Sequence, residues 1–202
     1  MLGLPKSTEL HKQLPKKAIY EKFQMSAADK AKIDADISRI TIINEVTSDK
    51  VNVADGKKVK SFFVLQVTLK KKDFAEKTIL TISKLISQNM ILVLMCGNEA
   101  KLVVYHTKLM QTEWHQTEEL SVNLKGLNMD DVWENIIIQI SGIKIEAGNS
   151  LDEQLAIDEQ KAKIQKEIDK LEKRARAEKQ PKKKFELASQ ANILRKKFSD
   201  LG

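Results

Sequence analysis

The chain has 202 residues, of which 42% are hydrophobic and 5% aromatic, and its formal net charge is +7. This length accommodates one ordinary domain with an appendage, and the hydrophobic fraction is sufficient for a mainly aliphatic core. No apolar run approaches the roughly 18 residues of a membrane-spanning helix, and the first residues do not follow the pattern of a signal peptide. A single cysteine, Cys96, allows no internal disulfide. We therefore expect a cytoplasmic protein that makes no membrane contact.

Charge is distributed unevenly along the chain. Residues 170–184 carry eight basic side chains against two acidic ones, whereas residues 111–147 carry seven acidic side chains against two basic ones. This distribution predicts a basic appendage on a body that has an acidic region.

The first residues predict two short helices. Ser7 can cap a helix over residues 8–14, and Pro15 suits the first turn of a second helix that runs through Phe23. Five lysines make this segment basic as well.

A longer helix is predicted from Ser26, because Asp29 stands at the capping-box position. Its buried stripe consists of Ile33, Ile37 and Ile40. Near Ile40 the period changes from helical to alternating, which predicts a first strand over residues 40–46. The polar residues 47–60 then form either a hairpin tip or a mobile loop, with a turn at Asp55-Gly56.

Residues 62–107 predict the centre of the fold. Aromatic and β-branched residues at 61–69 favour a buried strand, and Asp73 with Glu76 favours the start of a helix. The apolar face of that helix consists of Ala75, Ile79, Ile82 and Ile86, with Leu85 alongside. Residues 90–96 are apolar on both faces and predict a central strand. Gly97-Asn98 then turns the chain into a returning strand at 102–105. A helical crossover makes the first pair of strands parallel, and the tight turn makes the second pair antiparallel, so the predicted sheet is mixed.

The body is predicted to end with one more strand and one more helix. Leu120, Val122 and Leu124 alternate and favour a strand within residues 112–124. Asn128 or Asp130 can cap the helix that follows. The apolar face of this helix consists of Val132, Trp133, Ile136, Ile137 and Ile140. Glycines at 142 and 148 mark its exit, so we assign residues 1–148 to a mixed α/β body.

Residues 149–202 predict an antiparallel helical hairpin of the coiled-coil type. Apolar residues recur at helical spacing in two stripes, which are Ile164, Ile168, Leu171 and Ala175, and then Leu187, Ala191, Leu194, Phe198 and Leu201. Pro181 separates the stripes, because proline cannot lie inside a helix without disrupting it. Arms of about 20 to 28 residues would be roughly 30–40 Å long.

The tip of this hairpin is the candidate nucleic-acid site. Its basic residues are Lys173, Arg174, Arg176, Lys179, Lys182, Lys183 and Lys184, which we call the basic tip. Such a cluster would neutralise phosphates without reading sequence. No aromatic residue is interleaved with the charges, so base stacking is not predicted. An acidic protein partner, or simple solubility, is the alternative explanation for the charge.

Catalytic and metal motifs are not predicted. The sequence has no glycine-rich phosphate loop, no CxxC and no HExxH, so no cofactor and no metal site is expected. Asp34 and Asp36 diverge on a helix, and His106 with His115 could approach each other only across a strand connection. A nuclease site of the restriction type would need a lysine two residues after Gln66, where the chain has threonine.

The sequence resembles an uncharacterised bacterial family of unknown function. The resemblance rests on Leu4-Pro5, Leu14-Pro15-Lys16-Lys17, Ser26-Ala27-Ala28-Asp29-Lys30, Glu113-Trp114, Leu124-Lys125-Gly126-Leu127-Asn128 and Val132-Trp133-Glu134-Asn135-Ile136. It covers nearly the whole chain, including the charged hairpin. Members of that family are typically encoded near restriction-type helicases and DNA methyltransferases, so the resemblance implies an accessory role beside DNA-acting enzymes. It assigns no active residue.

The sequence therefore predicts a non-enzymatic accessory protein in a DNA restriction or phage-defence setting. Its expected partners are a helicase or methyltransferase, nucleic acid at the basic tip, and a further copy of the chain. The alternative is a divergent nuclease-like or other hydrolytic enzyme. The carboxyl-terminal edge of the sheet discriminates between these functions, because convergent carboxylates there would favour an enzyme and an apolar or basic surface would favour a binding module.

Overall fold

The computed structural model describes residues 2–84 and 88–201 of the chain. Contacts divide it into two compact units, which are residues 1–143 and residues 144–202. We call these units the body and the hairpin. The predicted boundary between residues 148 and 149 lies five residues later and stays a prediction.

The body is built around a mixed sheet. Its strands are β1 (Glu9–Leu14), β2 (Ile37–Thr47), β3 (Ser61–Leu69), β4 (Asn89–Cys96), β5 (Glu99–Tyr105), β6 (Leu109–Gln111) and β7 (His115–Gln116). Strands β1 to β6 follow one another across the sheet in chain order, and β7 pairs with β5. The β3–β4 pair is parallel and the other pairs are antiparallel. The predicted mixed α/β fold is confirmed.

Helices cover the sheet and form the hairpin. In the body they are α1 (Lys16–Lys22), α2 (Ala27–Asp36), α3 (Ser48–Val51), α4 (Glu76–Ser83) and α5 (Met129–Ser141), with a short 3-10 turn at Lys6–Thr8. In the hairpin they are α6 (Leu151–Ala177) and α7 (Pro181–Ser199). Among the described residues, no helix combines the length and the apolarity that crossing a bilayer requires.

The prediction of a helix over residues 8–14 is wrong, because this segment forms the edge strand β1. It pairs with β2, and a bulge lies between Glu9 and Lys12. Its side chains are almost all exposed, so its own apolar pattern is too weak to specify either structure. Hydrogen bonds to the neighbouring strand decide the outcome. The predicted helix after Pro15 is confirmed as α1.

Helix α2 leads directly into β2. The Ser26 hydroxyl accepts the Asp29 N–H, as the capping pattern predicts. The helix ends at Asp36, and the strand begins at Ile37, three residues before the predicted change of period. Ile37 and Ile40 are buried as expected, but they belong to the strand.

The long connection between the antiparallel strands β2 and β3 is held in place by hydrogen bonds to α5. Asp130, in the first turn of α5, accepts N–H groups from Lys57, Lys58 and Val59 at 2.7, 3.0 and 2.7 Å. These hydrogen bonds lower the pKa of the Asp130 carboxyl, the bond from Val59 most strongly. The loop leaves no room for a side chain at Gly56, because an added Cβ would stand 2.4 Å from the Val59 carbonyl oxygen. One carboxylate therefore fixes this loop to the body.

The central β3–α4–β4 unit forms as predicted, with one change at the helix start. Ala75 is the N-cap of α4, whereas the sequence pattern predicts Asp73. Ile79 and Ile82 are fully buried against the sheet. The other predicted stripe residues, Leu85 and Ile86, lie outside the described residues. Cys96 is only half-buried at the end of β4.

No continuous strand forms in the second half of residues 112–124. Leu120 and Val122 are buried, as their alternation predicts, but the only pairing there is a single bridge between Leu2 and Ser121 within the described chain. Strand β5 is already paired by β6 and β7 on that side. The segment therefore packs as extended chain.

Helix α5 packs its apolar face against the sheet. The Asn128 side chain accepts the N–H groups of Asp130 and Asp131 at 2.9 and 3.1 Å, so Asn128 is the cap. The five predicted apolar residues are all buried. The Trp133 ring packs against Phe62 of β3 with 5.3 Å between ring centroids.

The hairpin consists of two helices joined by a three-residue loop. Ser150 and Glu153 form a complete capping box at the start of α6. Pro181 occupies the first turn of α7, which is the position that proline tolerates in a helix. The apolar stripes lie along the seam, where Ile168, Ala175 and Ala191 are buried.

Candidate nucleic-acid interface

The basic tip occupies the end of the hairpin where α6 passes into α7. Lys173, Arg174 and Arg176 lie in the last turns of α6, Lys179 lies in the loop, and the three consecutive lysines 182–184 lie in the first turn of α7. All seven side chains are exposed. The structure thus brings together residues from two helices and a loop.

The first turns of α7 lie beside the last turn of α6. Arg195 of α7 pairs with Glu172 of α6, and Ala175 and Ala191 are both buried in the seam. Fourteen residues of α7 precede Arg195, but only five residues of α6 follow Glu172. Lys184 and Ala188 of α7 line one surface pocket with Ala175 and Arg176 of α6. Residues 181–186 are nevertheless all exposed.

Little of the positive charge at the tip is neutralised by the protein itself. Arg176 pairs with Glu172 at 3.1 Å, and the other six basic side chains make no ion pair with any described residue. The only acid within the tip loop, Glu178, accepts the Gln180 N–H at 2.9 Å. That hydrogen bond is the largest cause of the lowered pKa of Glu178, and the charges of Lys183 and Arg174 lower it further, so Glu178 offsets part of the positive charge at the tip.

The helix termini at the tip differ in how they tolerate positive charge. Arg174 and Arg176 stand in the last turn of α6, where cations interact favourably with the helix dipole. The three lysines 182–184 stand in the first turn of α7, which holds no acidic residue. Cations at that end oppose the dipole. The amino-terminal turn of α7 is therefore electrostatically unfavourable in the free protein.

No aromatic residue lies between the basic residues of the tip, but an exposed one directly adjoins them. Phe185 directly follows Lys184, and 75% of its surface is exposed. The sequence carries a signal for this, because the seam of α7 begins at Leu187 with spacings of 4, 3, 4 and 3. Phe185 falls outside that series and hence outside the seam.

The carboxyl-terminal edge of the parallel strands is rich in lysine and aromatic side chains. Lys101 is 9% exposed, and its amine lies 5.7 Å from the centre of the Phe74 ring and 5.4 Å from that of Trp114. Burial lowers the pKa of Lys101. Lys72 lies 5.5 Å from the centre of the same Trp114 ring. Carboxylates lie at this edge as well, because Lys72 pairs with Glu99, and the charges of Glu113 and Glu76 act on Lys101. The edge therefore carries charges of both signs and does not discriminate between an enzyme and a binding module.

Asp34 and Asp36 serve separate structural roles. Asp34 accepts hydrogen bonds from the Lys16 amine at 2.9 Å and the Tyr20 hydroxyl at 2.7 Å, and the bond from Lys16 is the main cause of its lowered pKa. Asp36 accepts the Ala75 N–H at 3.1 Å. Within residues 2–84 and 88–201, no three His, Cys, Asp or Glu side chains are grouped to hold a metal ion.

His106 and His115 do not approach each other. His115 pairs with Ala100 at one end of β5, and His106 follows Tyr105 at the other end. Six residues of strand correspond to roughly 20 Å.

A polar cleft lies on the sheet around Gln66. Its volume is about 470 Å³, and Lys6, His11, Arg39 and Glu9 also line it. The lysine that would complete a nuclease pattern, Lys70, instead donates to the Asp34 carbonyl at 2.5 Å. Lys70 therefore does not line the cleft, although Lys6 does.

Comparison with protein families matches residues 2–198 to the description Domain of unknown function (DUF4391). The chain belongs to the DUF4391 family. Neither curated proteins nor solved structures gave a match. The predicted membership of a family of unknown function is thus confirmed.

The DUF4391 match extends over both units of the chain. It includes α6 and all but the last residue of α7. The hairpin and its basic tip are therefore part of the DUF4391 domain, and an account of the family has to include them.

Proposed function

We propose that this DUF4391 protein is an accessory subunit that binds nucleic acid through its basic tip. The observation that supports the proposal is the set of exposed basic side chains at the end of the hairpin, of which only Arg176 has an ion-pair partner among the described residues. The proposed setting is DNA restriction or phage defence in the cytoplasm, beside a helicase or a methyltransferase.

The tip would act by neutralising phosphates. Lysine and arginine side chains that replace condensed counterions contribute affinity without reading base sequence. Lysines 182–184 interact unfavourably with the dipole of α7, because they lie at its amino-terminal end. A bound anion would reduce this unfavourable interaction. Binding would hold a partner enzyme near DNA, while the partner supplies the chemistry and the sequence specificity.

The hydrolytic alternative has less support. An enzyme of the restriction-nuclease type would need a lysine two residues after Gln66, where the chain has Thr68, and the nearby Lys70 donates to the Asp34 carbonyl instead.

A salt titration of the full-length protein tests the proposal. We expect fluorescence anisotropy to detect binding of a labelled 20-base-pair duplex of arbitrary sequence at 50 mM salt. With about four to six phosphate contacts, the affinity should fall by roughly two to three orders of magnitude between 50 and 200 mM salt. Duplexes of unrelated sequence should bind equally. Absence of binding at 50 mM salt would contradict the proposal, and binding of poly-glutamate in its place would assign the tip to an acidic protein.

The proposed protein partner requires a separate experiment. A nuclease-treated lysate of the native host should yield a helicase or methyltransferase on the tagged protein, identified by mass spectrometry. Recovery of neither enzyme class from such a lysate would contradict the accessory role.

A further inference from the structure

Phe185 differs from every other aromatic residue of the chain. The chain has six phenylalanines, two tryptophans and two tyrosines. The other nine are buried or half-buried, whereas Phe185 is 75% exposed. An aromatic side chain in water forgoes the stabilisation that burial would give it. This residue therefore contributes nothing to the seam of the hairpin.

The surroundings of Phe185 are basic. Lys182 precedes it by three residues, so the two side chains lie on the same face of α7. Long side chains in a helix lean toward its amino terminus, and the ring therefore covers the turn that carries the lysines. Residues 181–186 are all exposed. The ring is exposed and open to a ligand.

We propose that Phe185 and the basic tip form a binding site for single-stranded nucleic acid. An unpaired base stacks on the Phe185 ring, while Lys182, Lys183 and Lys184 neutralise the adjacent phosphates. Proteins that bind single strands without sequence preference combine these two features, an aromatic face and a positive surface along the backbone. A paired base has both of its faces covered by its neighbours, so only an unpaired strand can use the ring. This inference rests on the proposed function and narrows its ligand.

The same helix supplies a matched control. Ile193 is an exposed apolar residue of α7, with 56% of its surface accessible. It lies eight residues beyond Phe185, roughly 12 Å along the helix and away from the lysines of the first turn. Truncation of either side chain removes exposed apolar surface, but only truncation of Phe185 removes it from the tip.

The experiment compares two probes on the full-length protein. Anisotropy is measured with a labelled 20-nucleotide oligothymidine and with a 20-base-pair duplex, both at 50 mM salt. Phe185→Ala should weaken binding of the single strand about 5- to 150-fold, which is the range for loss of one stacked base. Binding of the duplex, and the salt slope of both probes, should not change. Ile193→Ala should leave both affinities unchanged.

A second variant gives a direct signature of stacking. Phe185→Trp keeps an aromatic face, so it should retain the single-strand affinity. Fluorescence of the introduced indole should be quenched by oligothymidine and not by the duplex. Circular dichroism should give the same helix content for all variants, because Phe185 makes no buried contact.

The outcomes separate this inference from the proposed function. Failure of the unaltered protein to bind either probe would contradict the proposed function. Binding of both probes with no effect of Phe185→Ala on the single strand would contradict the inference alone. An equal loss for both probes in Phe185→Ala would also overturn it, because the ring would then act on the shape of the tip.

Discussion

Phe62 in the body and Phe185 in the hairpin show how differently the two units use apolar side chains. Phe62 is fully buried and packs against Trp133, whereas Phe185 is 75% exposed beside three lysines. The body encloses a continuous core, which involves every strand from β2 to β5. The hairpin buries a narrow seam and leaves its outer faces to charge. Apolar side chains of the body therefore contribute to its stability, whereas Phe185 of the hairpin stays exposed.

Truncation after Gly148 should have the largest effect, because it separates the body from the hairpin. The remaining body should unfold in one cooperative transition, because residues 1–143 form a compact unit with a hydrophobic cluster of its own. Binding of DNA should be lost, since the whole basic tip is removed. Thermal denaturation followed by circular dichroism, together with anisotropy, checks both outcomes. A molten, protease-sensitive product would show that the boundary is wrong, and retained DNA affinity would exclude the tip as the site.

The two phenylalanines make the next comparison. Phe62→Ala should lower the free energy of unfolding of the body by about 3–5 kcal/mol, because it opens a cavity beside Trp133. Phe185→Ala should change stability by no more than about 0.5 kcal/mol, as expected for an exposed site. Urea denaturation measures both values. Similar losses in the two variants would contradict the division of roles.

Asp130 allows a pH test that is confined to the body. Its carboxylate accepts three backbone N–H groups, and the pKa of the group is lowered in consequence. A carboxyl whose pKa is lowered on folding stabilises the protein above its unfolded pKa, and this contribution is lost as the pH falls through the folded value. Asp130→Asn should therefore lower the thermal midpoint at pH 7. The difference from the unaltered protein should shrink below about pH 4. A difference independent of pH would exclude the charge as the cause.

The smallest expected effect concerns the stability of the hairpin. Changing lysines 182, 183 and 184 to glutamine should leave its thermal midpoint unchanged or slightly raised, because these cations oppose the dipole of α7. A control of equal charge changes Lys166, Lys196 and Lys197 to glutamine. Two of those lysines stand in the last turn of α7, where positive charge is favourable, so the control should be unchanged or slightly lowered. A lower midpoint in the tip variant alone would contradict this assignment.

The central part of the fold could be predicted because its apolar periods are strong. Residues 61–69 and 90–96 are specified by their own burial pattern, and the two stripes of the hairpin by helical spacing. Strand β1 was not predictable in this way, because its exposed side chains carry no clear period and pairing with β2 decides its structure. The same reason applies around Leu120, where alternation indicates burial correctly but cannot show whether a neighbouring strand is available.

The basic residues of the candidate site could be predicted from the sequence, but the exposed aromatic ring beside them could not. All seven basic residues follow from the sequence, since lysine and arginine beside Pro181 must lie near a helix end. The register of α7 against α6 arises from contacts across the seam, such as the pair of Glu172 with Arg195. That register exposes Phe185 among the lysines. The hydrogen bonds from the backbone N–H groups of residues 57–59 to Asp130 were likewise not predictable, because they join groups more than 70 residues apart in the sequence.

The salt dependence of duplex binding by the tip variant tests the central claim most directly. The unaltered protein, the variant with glutamine at 182, 183 and 184, and the control with glutamine at 166, 196 and 197 are titrated at several salt concentrations. The account predicts that the tip variant flattens the slope of log K against log[salt] by up to about 2.7, the equivalent of three phosphate contacts, and that the control keeps the slope. An unaltered slope in the tip variant, or equal flattening in both variants, would contradict the account.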